Sequence, residues 1–188
     1  MPDQIIKAKP TKEDLADALN RTVPDLIAPG LDFLFCGINP GIWSGATGLH
    51  FARPGNRFWR VLHLAGFTPR QFDPVEEDLL LEHGCGITCF VDRTTARADE
   101  LSKAEFEEGG KRLISKLQMY RPRVLAVLGI GAYKAAFSKK TAAIGRQDET
   151  IADTPVWLLP NPSGLNANYQ LPALVELFGE LRRTIDQR

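Results

Sequence analysis

The sequence predicts a three-layer α/β/α domain with a short, mainly parallel central β-sheet. Its short apolar runs, such as Val124–Leu128 and Val156–Leu159, have the length of strands and are apolar throughout, as strands buried on both faces are. Segments with helical spacing of apolar residues separate these runs, which is typical of a parallel sheet covered by helices. The 188 residues are the length of one ordinary domain. We expect a single domain over residues 25–188, preceded by a partly helical extension over residues 1–24.

The first half of the chain opens with a capping-box pattern, in which Thr11 precedes Asp14 at the start of an amphipathic segment. Glycine and proline then divide the elements from one another. The predicted elements are a helix from Thr11 to about Arg21, a strand Asp32–Cys36, a loop Ile38–Gly55, a helix Asn56–Ala65 and a short helix Pro74–Glu82.

The second half repeats the alternation of strand and helix. Ser102 and Glu105 form a second capping-box pattern, which predicts where the longest helix begins. The predicted elements are a strand Ile87–Val91, a helix from Ser102 to Tyr120, a strand Val124–Leu128, a helix Ala132–Phe137, a strand Val156–Leu159, a loop Pro160–Gln170 and a helix from Leu171.

Composition excludes several classes of protein. With 44% hydrophobic and 24% charged residues the chain is neither disordered nor fibrous, and no apolar run approaches the roughly 20 residues of a membrane span. Met1–Pro10 lacks the apolar stretch of a secretory signal, so we expect a cytoplasmic protein without a membrane partner. Three cysteines without a CxxC pair indicate neither a disulfide framework nor a zinc site.

Charge is distributed unevenly, although 23 basic and 23 acidic residues cancel. Phe33–Phe72 and Gly109–Gln147 contain no acidic residue, and both contain several arginines or lysines. One positive face suited to a polyanion is one interpretation, and a mixed solvated surface is the other.

Two loops follow predicted strands with similar chemistry. Gly37-Ile-Asn-Pro-Gly41 follows the first strand, and Asn161-Pro-Ser-Gly-Leu165 follows the last. Because ligands of parallel α/β sheets bind at the carboxyl ends of the strands, both loops are candidates for a binding site. Either pentapeptide alone is also ordinary turn chemistry.

Four blocks together carry a resemblance to a known family. They are GINPG (Gly37–Gly41), TGLHFARPGNRFWRVL (Thr47–Leu62), CGITCFVDR (Cys85–Arg93) and LPNPSGL (Leu159–Leu165). The sequence resembles the mismatch-specific uracil-DNA glycosylase (Mug) and thymine-DNA glycosylase branch of the uracil-DNA glycosylase superfamily. The resemblance covers roughly Leu31 to the end of the chain and implies that superfamily's α/β/α fold.

The resemblance implies hydrolysis of the N-glycosidic bond between deoxyribose and a flipped base, without a metal or cofactor. Asn39 would hold the attacking water, although an Asn-Pro-Gly turn by itself also explains this residue. Backbone N–H groups of the loops at Ile38 and Asn161 would stabilise the departing base. Gly37 and Pro40 complete the predicted substrate-binding loop.

Further roles are implied for residues that contact the base and the DNA. Phe51 would stack on the flipped base, or alternatively pack in the core. Gly41 would leave space for pyrimidines larger than uracil, such as thymine or ethenocytosine. Leu165 would fill the gap left by the flipped nucleotide, or alternatively cap the core. The predicted DNA contacts are Ser163, Gly164, Leu165 and Asn166.

The sequence departs from the family pattern in two places. Asn166-Ala167 stands where bacterial relatives often have Ser-Arg, so we expect only a modest preference for guanine opposite the lesion. Cys89 stands where a bacterial relative has lysine, which removes a charge. Asp92 is a candidate second catalytic group, because a carboxylate accepts a proton that an amide does not. A salt bridge with Arg93, or a loop cap, is the alternative for Asp92.

Two interpretations of function therefore remain at this stage. The first is a monofunctional glycosylase that acts as a monomer on double-stranded DNA containing G:U or related lesions, in base excision repair. The second is a non-catalytic reader of damaged DNA, which would keep Phe51 and Leu165 but would not need Asn39. A nucleotide-binding enzyme is a poorer interpretation, because Gly129-Ile-Gly131 lacks the third glycine of the dinucleotide fingerprint.

Overall fold

The computed structural model describes residues 9–186. A five-stranded sheet lies at its centre, in the order β2-β1-β3-β5-β4, with four parallel strands and an antiparallel β4 at one edge. The strands are β1 (Phe33–Gly37), β2 (Cys85–Cys89), β3 (Val124–Leu128), β4 (Gly145–Ile151) and β5 (Thr154–Leu159). The predicted α/β/α class with a mainly parallel sheet is confirmed.

Helices cover both faces of the sheet. They are α1 (Lys12–Ala16), α2 (Ile42–Thr47), α3 (Phe58–Leu64), α4 (Leu79–Glu82), α5 (Lys103–Tyr120), α6 (Ile130–Ala136) and α7 (Leu171–Asp186), with short 3-10 turns at Pro74–Glu76 and Ala98–Glu100. Successive residues of a strand point to opposite faces, so Phe35 packs against Phe58 and Phe178, whereas Leu34 belongs to the core on the side of α5 and α6. None of the helices in residues 9–186 is long and apolar enough to cross a membrane.

The local predictions are strongest where a side chain caps a helix. The amide of Glu105 donates to Ser102 Oγ (3.3 Å) and the amide of Ser102 donates to Glu105 Oε2 (2.9 Å), so the predicted capping box at α5 is confirmed. The capping box at Thr11 and Asp14 is confirmed as well. The predicted β3 has the bounds that the structure shows, and β1 and β2 lie within two residues of their predicted bounds.

Two elements were not predicted and one was predicted too long. Helix α2 lies in the segment Ile38–Gly55 that we expected to be a loop, and its three small residues weaken the helical pattern. Strand β4 is polar and pairs antiparallel at the edge of the sheet, so it lacks the apolar signal of the other strands. Helix α1 ends at Ala16 and does not reach Arg21, because the chain turns there and Thr22 pairs with Arg93.

The predicted boundary near residue 24 shows no break in packing. Ala18 is buried, and isolated β-bridges join Thr22 to Arg93 and Leu26 to Ile87. Ala18 and Thr22 therefore already contact the domain, although they precede the predicted boundary. The predicted absence of a signal sequence concerns Met1–Pro10, of which residues 1–8 lie outside the described residues.

Candidate active site

A cavity of about 640 Å³ opens at the carboxyl ends of the parallel strands, where the loops after β1 and β5 face each other. Most of the residues singled out in the sequence line it: Gly37, Ile38, Asn39, Pro40, Gly41, Phe51, Asn161, Ser163, Leu165 and Asn166. Gly164 lines a smaller adjoining cavity of about 230 Å³. Asp92 is not in the lining of either cavity.

The side-chain amide of Asn39 is held in one orientation. The two hydrogens of its Nδ2 are shared among three acceptors, which are Thr95 Oγ1 (2.7 Å), the carbonyl of Arg93 (3.0 Å) and the carbonyl of Pro40 (3.1 Å). Because backbone carbonyls only accept hydrogen bonds, the nitrogen must occupy this position. The Oδ1 atom has no hydrogen-bond partner among the described residues, which leaves it as the acceptor that Asn39 offers to the cavity.

Phe51 stacks on Phe58 with ring centroids 3.9 Å apart, and it also lines the cavity. Its backbone has a φ of 50°, which costs about 1–2 kcal/mol for a residue other than glycine. Glu77 Oε2 holds the preceding residue in place by accepting from the His50 amide (2.7 Å) and contacting its ring Nδ1 (3.1 Å). Sequence reasoning missed this pair, because nothing local connects residues 27 positions apart.

The floor of the cavity is narrow beside β1 and β2. A Cβ at Gly37 would lie 3.3 Å from Cys89 Sγ and 3.7 Å from Phe51 Cζ, so a larger residue would crowd both. Burial raises the pKa of the Cys89 thiol to about 12, so the thiol is uncharged at neutral pH. All three cysteines are free.

Gly41 contrasts with Gly37. A Cβ at Gly41 would have no atom of the described residues within 4 Å, and its φ of −81° is one that any residue adopts. The space beside Gly41 is therefore open, and a side chain placed there would extend into unoccupied space.

Arg57 holds the loop after β5 together. Its guanidinium donates to the carbonyls of Ser163 (2.6 Å), Tyr169 (2.6 Å), Asn166 (3.1 Å) and Pro162 (3.2 Å). Arg57 lies in the acid-free stretch Phe33–Phe72, which one interpretation of the sequence assigns to a positive face. Its interior role has no local sequence signal, since its partners are backbone atoms more than 100 positions away.

The tip of this loop presents an apolar side chain to solvent. Leu165 is 73% exposed, which excludes the alternative that it caps the core. A Cβ at Gly164 would come within 2.6 Å of the carbonyl of Gly55, so only glycine fits there without a shift. Asn161 Oδ1 accepts from the amide of Ser163 (2.9 Å), which leaves Asn161 Nδ2 without a partner among the described residues.

Asp92 forms an ion pair, although not with the predicted partner. Its Oδ2 lies 3.6 Å from Arg112 Nε, whereas Arg93 pairs with Glu105 at 2.6 Å. The acid that lines the cavity is Asp99, which is paired with Arg97 at the rim.

Some of the basic residues in the two acid-free stretches form salt bridges with acids from other parts of the chain, which favours a mixed surface over a single positive face. Among the basic residues of the two acid-free stretches, Arg70 pairs with an acid, as do Lys116, Arg112, Arg123 and Lys139. Arg53 stays exposed at the cavity rim. Within residues 9–186 no group of three or more His, Cys, Asp or Glu side chains is placed to hold a metal ion.

Comparison with protein-family models gives the family. The model described as the Uracil DNA glycosylase superfamily matches residues 24–182, which includes every strand and both loops of the cavity. Members of this superfamily are DNA glycosylases that act on uracil. The chain belongs to the uracil-DNA glycosylase superfamily and is a DNA glycosylase.

Proposed function

We propose that the protein is a monofunctional, mismatch-specific glycosylase of the Mug and thymine-DNA glycosylase branch. It removes uracil, and larger pyrimidines such as thymine or ethenocytosine, from mismatched double-stranded DNA in base excision repair. It acts as a cytoplasmic monomer that binds DNA. The observation that carries this proposal is the fixed amide of Asn39, which lines the same cavity as Phe51 and whose Oδ1 has no partner among the described residues.

The chemical step depends on a positioned water molecule. An amide oxygen accepts a hydrogen bond from water but is too weak a base to take its proton, so Asn39 orients the nucleophile. No lysine lies among the residues lining the cavity. Water is therefore the nucleophile in this proposal, and the product is an intact strand with an abasic site.

The base is held between an aromatic ring and a polar loop. Phe51 is supported from behind by Phe58, so its other face is the stacking surface for the flipped base. Asn161 contributes a donor, because its Oδ1 is already occupied by Ser163. A donor on this side stabilises the negative charge that develops on the departing base.

The DNA contacts come from the loop that Arg57 holds. Leu165 inserts into the stack at the position of the flipped nucleotide, since an exposed apolar side chain on a fixed backbone suits a wedge. Ser163, Gly164 and Asn166 lie on either side of it and contact the phosphate backbone.

Asp92 contributes less directly. It lies between Val91, whose amide donates to the Ile38 carbonyl (3.1 Å), and Arg93, whose carbonyl accepts from Asn39. A carboxylate at this place favours positive charge on the sugar through space, without contacting the reacting atoms. We propose this through-space role in place of the proton-accepting role expected from the sequence, because Asp92 does not line the cavity and pairs with Arg112.

The test is single-turnover release of uracil from a U:G duplex, compared with U:A and single-stranded substrates. We expect an abasic site that breaks only after alkaline treatment, and no covalent complex after borohydride. Tight binding without release of the base would support the non-catalytic reader. A complex trapped by borohydride would contradict water as the nucleophile.

Gly41→Tyr tests the choice of base. The ring would occupy the open space beside Gly41, so we expect removal of thymine and ethenocytosine to be suppressed while removal of uracil is retained. Gly41→Ala is the matched control, because a single Cβ meets no neighbour there. Unchanged removal of all three bases by Gly41→Tyr would place the pyrimidine elsewhere, and equal loss of all three would contradict a role in discrimination.

A further inference from the structure

A short strap, Arg93–Thr95, lies between Asn39 and the N-terminal segment. On the side of the cavity, the carbonyl of Arg93 and the hydroxyl of Thr95 are two of the three acceptors that share the hydrogens of Asn39 Nδ2. The strap also pairs with the loop after β1, because Gly41 forms an isolated parallel bridge with Thr95. The orientation of the Asn39 amide therefore depends on where the strap lies.

The opposite edge of the strap is bound by the N-terminal segment. The amide and the hydroxyl of Thr94 both donate to the carbonyl of Arg21, each at 2.8 Å, and the amide of Asn20 donates to the carbonyl of Thr94 (3.1 Å). Thr22 and Arg93 form an antiparallel bridge beside these bonds. Thr94 itself is fully buried, whereas Asn20 and Arg21 are exposed, so the bonds lie where the N-terminal segment covers the strap.

Packing leaves the strap little room to move. A Cβ at Gly45 in α2 would lie 2.4 Å from Thr94 Oγ1 and 2.9 Å from the carbonyl of Ala18. Helix α2 begins directly after the loop that contains Asn39. It therefore packs against the strap from a side that neither Asn39 nor the N-terminal segment occupies. Thr94 is thus enclosed by α2 and the N-terminal segment.

We propose that Asn20–Thr22 and Thr94 are positioning residues for Asn39. Side chains along an extended chain alternate, so when Thr94 is bound toward the N-terminal segment, Thr95 is directed toward Asn39. Residues 20–22 precede the family match at residues 24–182, so the segment that positions the amide lies outside the part that defines the family. This inference rests on the proposed function of Asn39.

The first test compares two substitutions of Thr94. Thr94→Val keeps the shape of the side chain and removes the hydroxyl, whereas Thr94→Ser keeps the hydroxyl. We expect Thr94→Val to lower the single-turnover rate on a U:G duplex roughly tenfold, because a small displacement of a positioning group has a large effect on rate. Affinity for the duplex should stay unchanged, and Thr94→Ser should restore most of the rate.

Stability is controlled by a substitution far from the strap. Ile151→Val removes one methylene group from the buried end of β4, which does not line the cavity. Rates are measured at the same interval below each variant's Tm. We expect Ile151→Val to keep the wild-type rate. A rate loss in Ile151→Val as large as that in Thr94→Val would reduce Thr94 to a general stabilising residue and overturn the inference.

A double-mutant cycle asks whether Thr94 acts through Asn39. With 5-fluorouracil as a better leaving group, the residual rate of Asn39→Ala becomes measurable. We expect Thr94→Val to lower the single-turnover rate when Asn39 is present. The same substitution should not lower the residual rate of Asn39→Ala. An undiminished effect without Asn39 would overturn the inference.

A readout that is independent of activity separates this inference from the proposed function. The side-chain NH₂ of Asn39 should exchange slowly with solvent in the wild type and in Thr94→Ser, and faster in Thr94→Val. The resonance is assigned by its loss in Asn39→Ala. Unchanged exchange in Thr94→Val would contradict the positioning role even if uracil is excised. Faster exchange in a protein that excises no uracil would support the positioning and refute the proposed function.

Discussion

The loops after β1 and β5 have similar sequences but are held in opposite ways. In the first loop a side chain, Asn39, is tied by its nitrogen to the strap Arg93–Thr95, and its oxygen is left for the cavity. In the second loop the backbone is tied by Arg57, and the side chain of Leu165 is left in solvent. The first arrangement fixes one polar atom, and the second fixes a surface. The difference suits chemistry at the first loop and DNA contact at the second.

Removing the polar atom of the first loop should have the largest effect. We expect Asn39→Ala to lower the single-turnover rate by about 10²-fold or more, because the water loses the group that orients it. Affinity for a U:G duplex, measured by fluorescence anisotropy, should change little. If affinity fell and the rate did not, Asn39 would belong with the binding loop and the contrast between the loops would fail.

Removing the hydrogen bonds that hold the loop after β5 should lower DNA affinity and protein stability, and should not act mainly on the rate. Arg57→Ala removes the donors to four carbonyls, so we expect a loss in the free energy of unfolding of about 2–3 kcal/mol and roughly tenfold weaker DNA binding. Arg57→Lys should not restore either property, because an ammonium does not reproduce the guanidinium geometry. Urea unfolding and anisotropy are the measurements.

Arg60 lies in helix α3, which begins directly after Arg57, and provides the control for charge. It is exposed, and Arg60→Ala removes one positive charge without opening the loop. We expect its free energy of unfolding to change by less than about 0.5 kcal/mol. Equal losses of stability in Arg57→Ala and Arg60→Ala would show that charge matters here and the loop bonds do not.

Asp92→Asn sharpens the comparison at the first loop. The carboxylate lies outside the cavity lining and beside the residues that bind the Asn39 loop, so we expect a rate loss of about tenfold, smaller than that of Asn39→Ala. Single-turnover rates on U:G DNA measure it. A wild-type rate would leave Asp92 only its ion pair with Arg112.

Leu165→Ala should have the smallest effect. Because the side chain is already 73% exposed, the free energy of unfolding should not change. Affinity for a U:G duplex should fall about fivefold, which corresponds to partial loss of one leucine's burial in the complex. Met119→Ala is the control, since Met119 is 71% exposed on the distant helix α5. A similar loss in both variants would remove the assigned role of Leu165.

Much of the candidate site was predictable, because its residues lie in short motifs directly after strands. Asn39, Phe51, Asn161 and Leu165 all line the cavity as expected. Their supporting partners were not predictable. Thr95 and Arg57 bind groups 56 and more than 100 positions away, and local sequence carries no information on such distant pairs.

The sequence by itself determined the class of fold, the buried strands and the caps of α1 and α5. These depend on apolar runs and on side chains three residues apart, which are local properties. Only the tertiary structure decided the antiparallel edge strand β4, the pairing of the basic stretches with distant acids, and the packing of the N-terminal segment against the strap. The N-terminal packing and ion pairs such as Lys116–Asp25 join segments that are far apart in the chain. Strand β4 lies next to β5 in sequence, but it is polar and pairs through backbone groups that every segment carries, so only the folded arrangement shows it as a strand.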